Sequence, residues 1–111
     1  MSLTIDIQNG TQPRSARAIV AGDLDVDGGR VSRRALHALF EAGRVDITVN
    51  LDRVGFLDSS GLASLIASLR QARERGGDVR VETSNDRIRR ILEVTALAQV
   101  FKLAPATGVA A

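Results

Sequence analysis

Val45-Asp46-Ile47-Thr48-Val49-Asn50-Leu51 alternates apolar and polar residues without a break, and shortly after it Leu62, Leu65, Ile66 and Leu69 recur at i, i+3, i+4 and i+7. Period-two alternation marks a strand with one buried face, and the second spacing lines four aliphatic side chains along one stripe of a helix. The helix is expected to run to about Arg75 and to stop at Gly76-Gly77, with Val79-Arg80-Val81-Glu82-Thr83 as the next strand. Ser84 or Asn85 is placed to cap a third helix with Ile88, Ile91 and Leu92 inward, and Val100-Phe101-Lys102-Leu103 reads as a short final strand.

Upstream, Leu3, Ile5 and Ile7 alternate with Thr4, Asp6 and Gln8, and Asn9-Gly10 is a turn signal. Ala16 to Ala21 is a second strand, ended by Gly22 and close enough to the first to pair with it antiparallel. Asp23-Leu24-Asp25 leads into a loop holding Gly28-Gly29, followed by a helix of about 12 residues with Leu36, Leu39 and Phe40 on one face and its end at Gly43. Asp52 to Leu57 reads as a turn-like passage. The expected order is therefore β-β-α-β-α-β-α-β. This is an α/β fold in which right-handed crossovers after an antiparallel start produce a mixed sheet.

A chain of 111 residues has room for one core and no second module, so a single domain over 1–111 is expected, with its core at about 3–103. The tail from Ala104 to Ala111 is weakly patterned, either a frayed end or the cap of a last short helix. A 44% hydrophobic and 25% charged composition is that of a soluble globular protein. The pI of about 10.4 overstates basicity: Lys102 is the only lysine among 15 basic residues and the formal charge is just +2. Arginine holds that small excess to very high pH. The N-terminus has no basic and apolar run of a signal peptide, and no stretch is apolar enough to span a bilayer. A bacterial-type cytoplasmic protein is the default expectation.

With no cysteine and one histidine, His37, neither a thiol–imidazole pair nor a zinc site of usual composition can be assembled. His37 is most simply a partly exposed helical residue. There is no G-x-S-x-G elbow, and no lysine follows Gly61 to complete a phosphate loop. The remaining enzymatic option is a carboxylate pair among Asp23, Asp25, Asp27, Asp52 and Asp58, but aspartate at strand ends is explained by capping and turns. Nucleic-acid binding is disfavoured: Phe40, Phe56 and Phe101 all sit in apolar patterns that read as core, and Arg87, Arg89 and Arg90 read as a solvated helix face. No cofactor and no metal is expected.

Asp58-Ser59-Ser60-Gly61 stands out at the head of the strongest helix. A capping role explains one of these residues but does not require two serines and a glycine beyond a strand end, where α/β sheets commonly bind ligands and partners. A phosphate on a hydroxyl here would add about −1.5 to −2 charges where backbone donors and the helix dipole tolerate an anion. Surface charge would change while the fold did not.

The run Val49-Asn50-Leu51-Asp52-Arg53-Val54-Gly55-Phe56-Leu57-Asp58-Ser59-Ser60-Gly61-Leu62 resembles the signature of the STAS domain, more narrowly that of anti-sigma factor antagonists. The resemblance extends to Gly22-Asp23-Leu24-Asp25, similar to that family's Gly-Glu-Leu-Asp. It also takes in Arg73 to Gly77 and Ile91 to Leu97, covering roughly Leu3 to Leu103. Ala96 stands where many relatives have glycine. The resemblance implies a regulatory, non-catalytic protein. Ser59 would be phosphorylated by a partner that is both anti-sigma factor and ATP-dependent serine kinase, and a PP2C-type phosphatase would reverse this. The unphosphorylated form would bind the kinase and displace its other client. Asp25 would contact that partner, Ser60 and Gly61 would belong to the docking rim, and Asp58 to the acceptor loop. The alternative within the same family is a subunit of a membrane lipid-transport complex, using this surface for a cytoplasmic ATPase.

Overall fold

A computed structural model describes residues 3–106. Strands β1 (Thr4–Asn9) and β2 (Ser15–Leu24) form an antiparallel hairpin, followed by α1 (Val26–Glu41), β3 (Asp46–Leu57), α2 (Ser59–Glu74), β4 (Asp78–Glu82), α3 (Asp86–Val94) and the one-turn α4 (Leu97–Val100). The sheet order is β1-β2-β3-β4, with β2, β3 and β4 mutually parallel. This is the mixed α/β sheet expected from the pattern of alternation. Ala16, Ile47 and Val79 lie in one cross-strand row and Ala18, Val49 and Val81 in the next. Leu36 and Phe40 of α1 and Leu65, Leu69 and Ala72 of α2 join them in the core. Each fully buried aliphatic side chain contributes roughly 1.5–3 kcal/mol relative to exposure.

Three local expectations are overturned, each by a contact distant in sequence. Gly28-Gly29 is not a loop; α1 begins at Val26 and both glycines are buried in its first turns. A Cβ on Gly28 would collide with the carbonyl oxygen of Asp23, and one on Gly29 with Oγ of Ser64 in α2. The two glycines serve close packing, and tertiary contact offsets their poor helix propensity.

Asp52 to Leu57 is not a turn either, because β3 continues through it. Register slips twice against β2, between Ile19 and Ala21 and between Gly22 and Asp23, each slip leaving an extra residue on β3. These are β-bulges, and they replace period-two burial with period three, so that Leu51, Val54 and Leu57 face inward. The alternation ends while the strand goes on.

The expected strand over Val100–Leu103 is reduced to an isolated parallel bridge between Glu82 and Ala104. Val100 closes α4 and Lys102 adopts φ 49°, which breaks an extended run. Phe101 is fully buried, and its carbonyl accepts from Val81 N at 3.0 Å. Among the described residues the last helix, α4, precedes Ala104; of the weakly patterned tail, residues 107–111 lie outside the described residues.

Candidate functional site

Asp25-Val26-Asp27-Gly28 and Asp58-Ser59-Ser60-Gly61 fold alike. Asp25 and Asp58 each have extended backbone and cap a helix, Oδ1 of Asp25 accepting from Gly28 N at 2.8 Å and Oδ1 of Asp58 from Gly61 N at 3.0 Å. Each carboxylate satisfies an amide that the first turn leaves without an intrahelical partner.

Leu24 and Leu57, the last residues of β2 and β3, are directly paired, and Asp58 N donates to Leu24 O at 3.3 Å. The two caps thus stand side by side at the C-terminal edge of the parallel strands. Gly61 is buried against β2: a Cβ there would collide with the Leu24 carbonyl. Glycine at this position is therefore a packing requirement. Asp25, Asp58 and Ser60 are half-buried, whereas Ser59, the first residue of α2, is exposed. The Ser60 carbonyl accepts from Ser64 Oγ at 3.1 Å, which ties the second serine into the helix. Ser59, Ser60, Gly61, Asp58 and Asp25, all singled out in the sequence, are brought together by this pairing.

The apolar pattern of the sequence places Phe56 in the core with the other aromatics. Phe40 and Phe101 are buried, but Phe56 is 50% exposed at the end of β3, paired across the sheet with Asp23. The bulges cause the difference, because Val54 and Leu57 take the inward positions on either side of it. Val26, the α1 counterpart of Ser59, is also exposed, at 52%. Gly55 is the extra residue of the second slip, and an isolated glycine inside a strand is the local sign that could have marked the bulge.

The other aspartates have local duties. Asp52 Oδ1 accepts from Thr83 Oγ1 at 2.8 Å and from Ser84 N at 2.6 Å, holding the chain that leads into α3. Exposed Asp27 lies 3.9 Å from Arg30. His37 is half-exposed farther along α1, with Nε2 3.2 Å from Glu41 and Nδ1 3.1 Å from Gln71. Among the described residues no group of three or more His, Asp or Glu side chains is arranged to hold a metal ion, and no helix is long and apolar enough to cross a membrane. The arrangement offers an exposed hydroxyl at one helix N-terminus, with a second helix N-terminus beside it and an acidic and partly apolar surround.

A family model described as "Mlab, STAS domain" matches residues 7–105. The chain belongs to the STAS domain family. This STAS domain is 25% identical over 103 residues to the anti-sigma-B factor antagonist of Bacillus subtilis (strain 168), covering 93% of this chain and 92% of that protein. Its fold is similar to the crystal structure of an anti-sigma factor antagonist from Mycobacterium paratuberculosis, with a TM-score of 0.80, 23% identity, and coverage of 95% and 87% of the two chains. It is likewise similar to the Bacillus cell fate determinant SpoIIAA in its phosphorylated form, with a TM-score of 0.71, 18% identity, and coverage of 94% and 92%. At these identities the solved structures speak to fold. The mixed α/β fold inferred from the sequence agrees with theirs apart from the final strand, and these relatives are regulatory proteins.

Ala96 has φ 62° and ψ 20° where the chain turns from α3 into α4. A left-handed backbone favours glycine, since a Cβ costs about 1–2 kcal/mol there.

Proposed function

We propose that this STAS domain is an anti-sigma factor antagonist that works in the cytoplasm by partner switching, with Ser59 as its phosphoacceptor. The observation carrying this reading is the exposure of Ser59 at the first position of α2, capped by Asp58 and beside the N-terminus of α1. In the unphosphorylated state the surface of Asp25, Asp58, Ser59, Ser60 and Gly61 binds a partner that is both anti-sigma factor and serine kinase, displacing the partner's other client. The kinase then transfers the γ-phosphoryl group of ATP: a bond forms between Ser59 Oγ and phosphorus, the bond to the ADP oxygen breaks, and the hydroxyl proton passes to a base of the kinase. A PP2C-type phosphatase hydrolyses the ester and resets the switch.

Position explains why the modification acts as a switch. A phosphoserine at the start of α2 meets unpaired backbone N–H groups and the positive end of the helix dipole, so the folded state accepts it. The partner's docking surface must instead desolvate a group of about −1.5 to −2 charges, where close mismatch costs several kcal/mol. Asp25, Asp27 and Asp58 give the surface an acidic character that the phosphate deepens.

Incubation with the cognate kinase and ATP, read by intact mass and peptide mapping, tests this function. Phosphate on Ser59, absent in Ser59→Ala, is the expected result. Ser59→Ala should hold the kinase persistently and Ser59→Asp should bind it weakly; equal affinities for the wild type and both variants would overturn the switch. Stable binding of an ATPase that never phosphorylates Ser59 would favour the transport-subunit role.

A further inference from the structure

Phe56 is a large apolar side chain left half in water three positions before Ser59, although the core has taken the other two phenylalanines. Its backbone is held on both sides. Phe56 pairs with Asp23 of β2, its neighbour Leu57 is 8% exposed, and the Gly55 carbonyl accepts from Arg87 Nη2 of α3 at 3.3 Å. A fixed backbone displays the ring with little conformational freedom to lose on contact, which suits an anchor. Val26 adds a second exposed apolar group at the start of α1, next to α2 through the paired Leu24 and Leu57. Around them stand four carboxylates, of Asp23, Asp25, Asp27 and Asp58, against two guanidinium groups, Arg30 beside Asp27 and Arg87 at the Gly55 carbonyl, so the rim is acidic on balance. The result has the form of a protein interface, an apolar centre within a charged rim.

We propose that Phe56, assisted by Val26, is the apolar anchor with which this surface docks on its serine-kinase partner, and that the partner offers an apolar hollow bordered by cationic side chains. This deepens the function proposed above and rests on it. Charge selects the occupant: a second copy of this chain would bring the same carboxylates against each other, whereas a basic rim complements them. The anchor also gives the switch its leverage. A phosphate on Ser59 would place a dianion at the edge of a contact that must become dry.

The test uses the full chain and the kinase shown to phosphorylate Ser59. Phe56→Ala should raise Kd about 30-fold or more, the loss typical of an interface hot spot. It should raise the KM for this chain in phosphoryl transfer by a similar factor while kcat stays near the wild-type value, because Phe56 orients no reacting atom. Phe56→Leu should fall between the two. Val94→Ser, at a 79% exposed apolar position on α3, should leave both constants unchanged. Phe56→Ala should lose some stability with the buried half of the ring yet still unfold cooperatively and stay folded under the assay conditions, which separates lost docking from lost folding. Unchanged Kd and KM in Phe56→Ala, with Ser59 still phosphorylated in the wild type, would overturn the anchor and leave the proposed function standing. Conversion of a wild-type dimer to a monomer by Phe56→Ala, with kinase affinity intact, would assign the ring to a second copy and overturn it as well. Absence of phosphate on wild-type Ser59 would remove the proposed function and the anchor together.

Discussion

Two small residues mark opposite limits of what a Cβ costs in this STAS domain. Gly61 lies against the Leu24 carbonyl, where a Cβ has no room, while Ala96 carries a Cβ in the left-handed region, where glycine is at ease. Gly61→Ala must push α2 away from β2, with an expected loss of about 1–3 kcal/mol, in the range of overpacked sites. Ala96→Gly should gain about 1 kcal/mol, the relief of left-handed strain being offset in part by the freer unfolded chain. Urea unfolding of both variants checks the opposite signs. Motif resemblance pointed to both positions, but the reason for each lies in an approach or a dihedral angle that only the folded chain displays. Ser59 differs from both. Its place at the head of α2 was legible because the cap and the hydrophobic stripe beyond it are local features.

At the ends of elements, polar groups fix where a helix or strand starts. Asn85 caps α3, its Oδ1 accepting from Arg87 N at 3.0 Å and Ile88 N at 3.4 Å, as one of the two residues proposed from the sequence. Asp78 begins β4, with Lys102 Nζ 2.7 Å from Oδ2, Arg73 Nε 3.4 Å from Oδ1 and Val79 N 3.0 Å from Oδ1. Burial pushes its carboxyl pKa up, but the hydrogen bond and charge of Lys102, the Val79 amide and Arg73 outweigh burial and hold it below 3.8. A carboxylate lowered on folding adds stability above its unfolded pKa and loses it as pH falls through the folded value. Lys102→Met should therefore lower the urea midpoint at pH of about 5, and the difference should shrink at lower pH as Asp78 takes up its proton. A gap that persisted unchanged at the lower pH would contradict this account. Lys102 belongs to the segment that the sequence pattern assigned to a strand, so the ion pair became visible only when the segment proved to be a turn packed against β4.

Across the whole molecule, the interior and the switch are separate. Leu65 is fully buried beneath α2, and Leu65→Ala should cost about 2–5 kcal/mol. Ser59 begins the same helix on the surface, and Ser59→Asp should move the unfolding free energy by about 0.5 kcal/mol or less, as is usual for exposed substitutions. Denaturant titration of the pair measures the contrast; a large loss in Ser59→Asp would mean that charge at this site acts on the fold. On the sheet, Glu82 of β4 is buried but satisfied, Oε2 accepting from Asn50 Nδ2 at 2.9 Å and Oε1 from Arg17 Nη2 at 3.3 Å. This polar link crosses β2, β3 and β4 and accounts for a charged group among buried ones.

The order of elements from β1 to α3, the aliphatic core of β3 and α2, and the exposed hydroxyl at a helix start follow from the amino-acid sequence, because periodicity and capping act between residues a few positions apart. Tertiary structure alone decided that Gly28 and Gly29 are helical, that β3 outlasts its alternation, that Phe56 faces water, and that Asp25 stands beside Asp58. Those outcomes depend on close approach and strand register between segments some thirty residues apart in sequence, such as Leu24 and Leu57, where a steric clash or a bulge overrides local preference.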